Sequence, residues 1–263
     1  MKKYLCIFKL ELMSNLSYIL DNVFGFIGYF IMLFILLNLW KYIYSDPNEI
    51  INGYSMNQTI WYVAITEILW TVIGGRKFCN KIVNDVKGGN IAYNINKPYS
   101  YVSYCLFNHL GDCVIRFMVF SILGVLSCFI FLGELPSLDI ISVILTIVSS
   151  VLAIIINTLF ILSIGLISFF IEDSSSLYWL YSKVLLIVGT LFPIEFFPKV
   201  IQPFLNYSPI FAISYGPAKL FVDFSYSNLL PVLLSQVFYI ITSYLLCRLI
   251  YKKGVKNLNV NGG

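Results

Sequence analysis

From Ile140 to Ile171 the chain carries no charged side chain, and a helix over that run is long enough to cross the ~30 Å hydrocarbon core of a bilayer. Uncharged or nearly uncharged runs recur over about Asn22 to Tyr44, Gln58 to Gly75, Cys113 to Leu132, Leu177 to Phe197 and Leu229 to Ile250. Only 11% of the 263 residues are charged and 59% are hydrophobic, whereas about a quarter charged is usual in soluble domains. Too few charges remain to wet the surface of a soluble enzyme or nucleic-acid-binding domain, and both classes are excluded. The chain therefore reads as an all-α, polytopic integral membrane protein. Its one domain, 1–263, has six transmembrane helices at about 22–44, 58–75, 113–132, 140–171, 177–197 and 229–250.

The placement of basic residues orients these spans. Of the 17 Lys and Arg, Lys2, Lys3 and Lys9 precede the first span. Arg76, Lys77, Lys81, Lys87 and Lys97 fall between the second and third, and Arg248, Lys252, Lys253 and Lys256 follow the sixth. Lys41, Lys199 and Lys219 are left for the opposite face. The positive-inside rule then puts both termini and the 76–104 loop in the cytoplasm. The acidic Glu172–Asp173 turn would share that side, which is tolerable because carboxylates contribute little to orientation. The N-terminus offers no small-residue cleavage site, so no removable signal peptide is expected. No internal repeat is visible.

Two cytoplasmic segments stand out. In Met1 to Leu20, Leu5, Phe8, Leu12 and Leu16 form a stripe edged by Lys2 and Lys9, as in an interfacial helix whose lysines snorkel to headgroups or an ordinary anchoring segment. In the 76–104 loop, Phe78, Ile82 and Val86 recur at helical spacing, so Arg76 to Lys87 reads as a short amphipathic helix stopped by Gly88-Gly89. Its apolar face and the following Asn90 to Lys97-Pro98 need a cover, expected to be the membrane surface or a cytosolic partner. The alternative is a solvated basic loop.

The run from Gly75-Arg76 through Lys81-Ile82 and Asp85-Val86-Lys87-Gly88-Gly89-Asn90 to Asn96-Lys97-Pro98 resembles the loop after the second span in bacterial ABC transporter permeases of the type-2 exporter class. Asn57 to Tyr62 with Thr66-Glu67, Leu191 to Pro198, and the tail Gly254 to Gly263 resemble the same class. The resemblance implies a permease subunit without an ATPase domain, forming half of an export pathway. It also implies a coupling helix between spans two and three that docks on a cytosolic ABC ATPase, in two copies, which supplies the ATP and magnesium. A second permease, identical or homologous, and short membrane-dipping helices between spans five and six are implied as well. The substrate stays open among drugs, antimicrobial peptides and lipids.

Pro193, Pro198, Pro203, Pro209 and Pro217, of nine prolines in all, break the apolar stretch leading into the 198–228 outer loop. Proline forbids one long helix there, and broken backbone at membrane depth must be covered by protein or face water. Short re-entrant helices capping a vestibule, or a structural lid, are the two readings. Glu67 lies near the middle of the second span, where a charge is costly. Its expected partners are Arg116 or tyrosine hydroxyls, and its role is structural pairing or lining of a pathway. Lys183 can snorkel, Glu195 sits among the prolines, and the lone His109 is expected at the interface. The six cysteines (Cys6, Cys79, Cys105, Cys113, Cys128 and Cys247) show no metal-ligand spacing and read as apolar fillers. No Walker A run, HExxH or GxSxG is present, so the chain itself is not expected to hydrolyse ATP. A secondary transporter or channel subunit, and a non-transporting scaffold or immunity protein, are the alternatives.

Overall fold

The computed structural model describes residues 2–46, 48–136, 139–171 and 173–261, with side chains through Lys256. Expectations resting on Pro47, Glu172 and the side chains beyond Lys256 lie outside the described residues. Among the described residues the architecture is helical apart from one hairpin. Helix α1 (Lys2–Ser17) breaks at Tyr18 into α2 (Ile19–Ile43). Strands β1 (Ile50–Ile51) and β2 (Tyr54–Ser55) pair antiparallel, Ile50 with Ser55 and Ile51 with Tyr54, across an Asn52-Gly53 turn. Both turn residues take positive φ, 50° and 87°, the conformation a tight two-residue hairpin needs. Helix α3 (Met56–Ile73) opens on a capping box, in which the Ser55 hydroxyl accepts from the Gln58 amide and the Gln58 side chain accepts from Ser55.

Then follow α4 (Gly75–Lys87), α5 (Asn90–Ile95), α6 (Tyr101–Leu132), α7 (Ile140–Leu166) and α8 (Ser175–Val184), which continues as a π-helical stretch to Leu191. Helices α9 (Gln202–Asn206), α10 (Gly216–Val222) and α11 (Tyr226–Asn261) complete the chain. Among the described residues four helices are long and apolar enough to cross a membrane: Ile19–Ile43, Tyr101–Leu132, Ile140–Phe169 and Tyr226–Lys256. Ser175–Leu191 is apolar but shorter. The helix containing the expected third span starts at Tyr101, inside what the sequence reading assigned to the loop. The one containing the expected sixth runs on from Ile250 to Asn261.

α3 forms the core. Tyr62, Val63, Ala64 and Val72 are at most 1% exposed, because the helix is packed by α2, α6, α7 and α10. Full burial on all sides explains its composition: hydroxyls such as Thr59 and Thr66 face protein carbonyls, so they need no lipid-compatible surface. α2 and α11 instead leave large apolar side chains outward, among them Phe24, Phe34, Leu234 and Phe238, as a lipid-facing surface would. α1 lies along the first turns of α6. Tyr4 stacks on Phe107 with ring centroids 5.6 Å apart, and the Phe8 carbonyl sits where a side chain on Gly111 would be. The packed stripe is Tyr4, Ile7, Phe8, Glu11 and Leu12, while Leu5 and Leu16 are 56% and 47% exposed. Of the expected stripe, Phe8 and Leu12 thus pack on α6, while Leu5 and Leu16 are left outward.

Candidate functional site

The sequence turns sharply between α3 and α4 at Gly74, whose φ of 53° belongs to the left-handed region that favours glycine. Arg116 from α6 fills the corner. Its guanidinium donates to the Val72 carbonyl at 3.2 Å, pairs with Asp112 one turn away, and occupies the space a Cβ on Gly74 would need. Carbonyls at the end of a helix lack intrahelical donors, and Arg116 supplies one here. It is therefore committed to Asp112 and Val72, which corrects the expectation that it partners Glu67.

α4 has two distinct faces. Phe78 stacks on His109 at a centroid distance of 3.9 Å and 8° between planes. Ile82 is fully buried and packs on Gly165 of α7, and Cys79, Val83 and Val86 are buried beside it. The expectation that a membrane surface or partner covers this apolar face is corrected: the bundle itself covers it. At ~1.5–3 kcal/mol for each large side chain removed from water, the seat is firm. The same contact encloses His109 of α6, which is 5% exposed, within the protein against α4. Arg76, Lys77, Asn80, Lys81, Asn84 and Lys87 face outward.

Polar contacts hold the outward face in register. Lys81 donates to Asn108 at 2.7 Å and Asn108 donates to Glu11 at 2.5 Å, linking α4, α6 and α1. The Tyr101 hydroxyl donates to Asp85 at 2.8 Å, and Lys87 lies 4.0 Å from Asp173. The Ser175 backbone amide and hydroxyl hold the Asp173 carboxyl below its ordinary range, against a small desolvation effect and with Lys87 assisting. Burial, with the Asp173 carboxylate adding, pushes the Cys79 thiol up to about 12.

Gly88 ends α4, and Gly89 at φ 73° turns the chain into α5, which Ile91 anchors with no exposure. Asn90 is exposed. Lys97 lies 4.3 Å from the Tyr93 ring centroid, and a hydrogen bond with Tyr99 raises its ammonium above the ordinary range. The Pro98 carbonyl accepts from Lys3. Of the sequence-predicted residues, Arg76, Lys77, Lys81, Lys87, Gly88, Gly89, Asn90 and Pro98 are exposed, Asp85 and Lys97 are half-buried, and Phe78, Ile82 and Val86 are turned into the bundle. Beside α4 a cleft of about 830 Å³ opens among α1, the α3–α4 corner, α6 and α8. Acidic Glu11, Asp21 and Asp112 line it together with basic Arg76, Lys77, Lys81 and Arg116.

The remaining polar candidates lie apart from this surface. Glu67 is 5% exposed, and its Oε2 has no hydrogen-bond partner among the described residues. Tyr29 does not serve it, donating instead to the Ala64 carbonyl at 3.2 Å. Lys183 is exposed and lies 6.0 Å from the Trp179 ring. Glu195, at the end of the bundle opposite α4, accepts from Tyr54 at 3.1 Å and from Tyr215, and lies 3.8 Å from Lys219. It ties the hairpin to the proline-rich segment. Pro193 precedes a short 3-10 turn, Pro203 starts α9 and Pro217 starts α10. Pro198 sits in the connection before α9, and Pro209 opens the helical turn that runs into Phe211–Tyr215. From Ala212 to Val222 all residues but Lys219 are in or near the core, and Lys219 is itself only 16% exposed. Asp112, Gly165 and Tyr101 escaped sequence reasoning. Asp112 and Arg116 do carry a signal, the i,i+4 spacing of opposite charges, whereas the pairing of Gly165 with Ile82 is a tertiary contact with none.

The family model for ABC-2 family transporter protein matches residues 30–262. The chain belongs to that family. It is therefore a multi-pass membrane transport component of the kind that associates with an ABC ATPase, and not itself a catalyst. The match starts within α2 and takes in α4, α5 and the proline-rich segment, leaving α1 outside it. No curated protein matches the chain at a significant level. Among the described residues no group of three or more His, Cys, Asp or Glu side chains could hold a metal ion.

Proposed function

We propose that this ABC-2 family member is the permease subunit of an ATP-driven exporter, coupled through α4 and α5 to a separate cytosolic ATPase. The observation that carries the reading is the construction of α4. Its apolar face is spent inside the bundle, and its polar face is left outward on a rigid mount. The mount touches α3 through Gly74, α6 through His109 and Asn108, and α7 through Gly165. A displacement of α4 would therefore reach three long helices at once, because packed interiors transmit shifts rather than absorb them.

In this reading α2, α3, α6, α7, Ser175–Leu191 and α11 are six spans. Both termini and α4 face the cytoplasm, as the basic residues favour. The ATPase, in two copies, binds ATP and magnesium, and its closure pushes on the Arg76 to Pro98 surface. A second permease, identical or homologous, completes the pathway, and the segment from Pro193 to Pro217 dips into the membrane to cap its outer end. The cargo is a drug, an amphipathic peptide or a lipid exported across the cytoplasmic membrane.

Because the apolar face of α4 is structural, the test must spare it. Arg76→Glu with Lys77→Glu reverses charge on exposed positions only. Wild-type protein extracted in detergent from its native membrane is expected to bring down an ABC ATPase, identified by mass spectrometry, and the double variant to lose it while eluting as the same folded species. Failure of the wild type to retain any ATPase, or full retention by the variant, rejects the coupling surface.

A further inference from the structure

A groove of about 780 Å³ runs between the end of α5 with the start of α6 on one side and the later turns of α11 on the other. We propose that this groove is a binding site for one anionic phospholipid, its phosphate held by Arg248, Lys252 and Lys256 and an acyl chain lying on Leu245 and Leu249. The helical repeat puts these five side chains on one face of α11, with the leucines toward the membrane-spanning part and the cations toward the tail. Along the helix Leu245 comes first, Arg248 and Leu249 lie side by side one turn on, and Lys252 and Lys256 follow, a passage from apolar to basic that matches a lipid standing in a leaflet. All five are exposed, and none of the three cations forms an ion pair with another described residue.

The opposite wall is built to meet the lipid at the same depth. Tyr99, Tyr101 and Val102 line it, and Tyr101 stacks on Tyr251 of α11 with centroids 5.7 Å apart, so the floor is a fixed aromatic contact. Tyrosines favour the headgroup level, where one end of the ring meets hydrocarbon and the other water. The groove's volume falls in the range of small-molecule sites. Basic pockets between spanning helices near a membrane surface select anionic headgroups by charge. A phospholipid meets the cations and the adjoining leucines with one molecule, whereas a soluble acidic peptide or a free phosphate meets the cations alone. The inference needs only that α11 crosses the membrane. It stands whether or not α4 docks an ATPase.

Native mass spectrometry of the full chain in detergent, titrated with phosphatidylglycerol or phosphatidylcholine of matched chains, tests it. Wild-type protein is expected to retain phosphatidylglycerol in preference, and each neutralised cation to weaken retention by about fivefold. The variant Arg248→Gln/Lys252→Gln/Lys256→Gln should therefore lose the preference. A control, Lys41→Gln/Lys199→Gln, removes exposed charge at the other end of the bundle and should keep it. If the triple variant does not fold, Lys252→Glu alone replaces it, and must still weaken phosphatidylglycerol against phosphatidylcholine. Equal retention of the two lipids by wild type, an unchanged preference in the α11 variants, or displacement of the bound lipid by millimolar inorganic phosphate would each overturn the proposal.

Discussion

Replacing Gly165 with alanine should loosen α4 from its seat. A Cβ at Gly165 would lie 2.9 Å from both Cβ and Cγ2 of Ile82 and 3.2 Å from its Cδ1. Carbon atoms settle at about 3.5–4.0 Å, so α4 or α7 must retreat by about 0.6 Å or more. The Ile82 Cβ is fixed to its own backbone, and no rotamer change can move it aside. Overpacking of this kind costs about 1–3 kcal/mol. Ile82→Ala, at a position with no exposure, should cost about 2–5 kcal/mol by the opposite route, a cavity. Combined, the two changes cancel in part: alanine at 82 removes the Cγ2 and Cδ1 contacts at 2.9 and 3.2 Å but keeps the Cβ at 2.9 Å, so some of the overpacking is relieved and some remains. The double variant should then be less destabilised than the sum of the singles by about 0.5–3 kcal/mol. Thermal unfolding can be followed by a thiol-reactive fluorophore, because Cys79, Cys105, Cys113, Cys128 and Cys247 are buried and report opening. Melting of Gly165→Ala at the wild-type temperature, or additivity of the pair within about 0.5 kcal/mol, would refute the close contact between α4 and α7.

Other expectations follow from single contacts. Gly74→Ala should destabilise by about 1–3 kcal/mol, because it forces a side chain into positive φ and onto the Arg116 guanidinium; an unshifted melting temperature would contradict the corner as described. A membrane-permeant maleimide should label exposed Cys6 in the native protein and leave Cys79 unmodified, since that thiol is buried and pushed up to about 12; peptide mapping of the labelled protein decides. Glu67→Leu should hold or raise stability, as the unpartnered oxygen costs about 1–3 kcal/mol, and a fall in melting temperature would reveal a partner. Transport by Glu67→Gln then separates the two roles, unchanged flux leaving the carboxylate structural. Lys87→Gln should change stability by less than about 1 kcal/mol, because Lys87 and Asp173 are 43% and 53% exposed.

The α4 surface was readable in the residues because two local signals agree there. Phe78, Ile82 and Val86 mark a helix by their spacing, and Gly88-Gly89 mark its end. What covers that apolar face was not readable. Composition points to lipid or a partner, and the actual cover is His109, Gly165 and their neighbours, brought there by helices distant in sequence. The same limit applies to Glu67. Its depth in the span is a matter of counting residues, but Arg116 is taken by Asp112 and Val72, a competition that only packing resolves.

The π-helical stretch Leu185–Leu191 makes the point most plainly. A wide turn sacrifices regular backbone bonds, and nothing in Leu-Leu-Ile-Val-Gly-Thr-Leu announces one. It is held because carbonyls from this segment accept from α3, Gly189 from Tyr62 at 3.1 Å and Thr190 from Thr66 at 2.9 Å. Close approach at Gly189, where a Cβ would sit 2.9 Å from the Ser214 hydroxyl, locks the second π-helical segment, Phe211–Tyr215, against it. The linear chain by itself determined membrane residence, helix class and the polar outward face of α4, since each depends on hydropathy and periodicity along one segment. Which carboxylate is left without a partner, which histidine is interior and where helices widen were decided by tertiary structure, because hydrogen-bond satisfaction and van der Waals contact depend on atoms that meet only when the bundle closes.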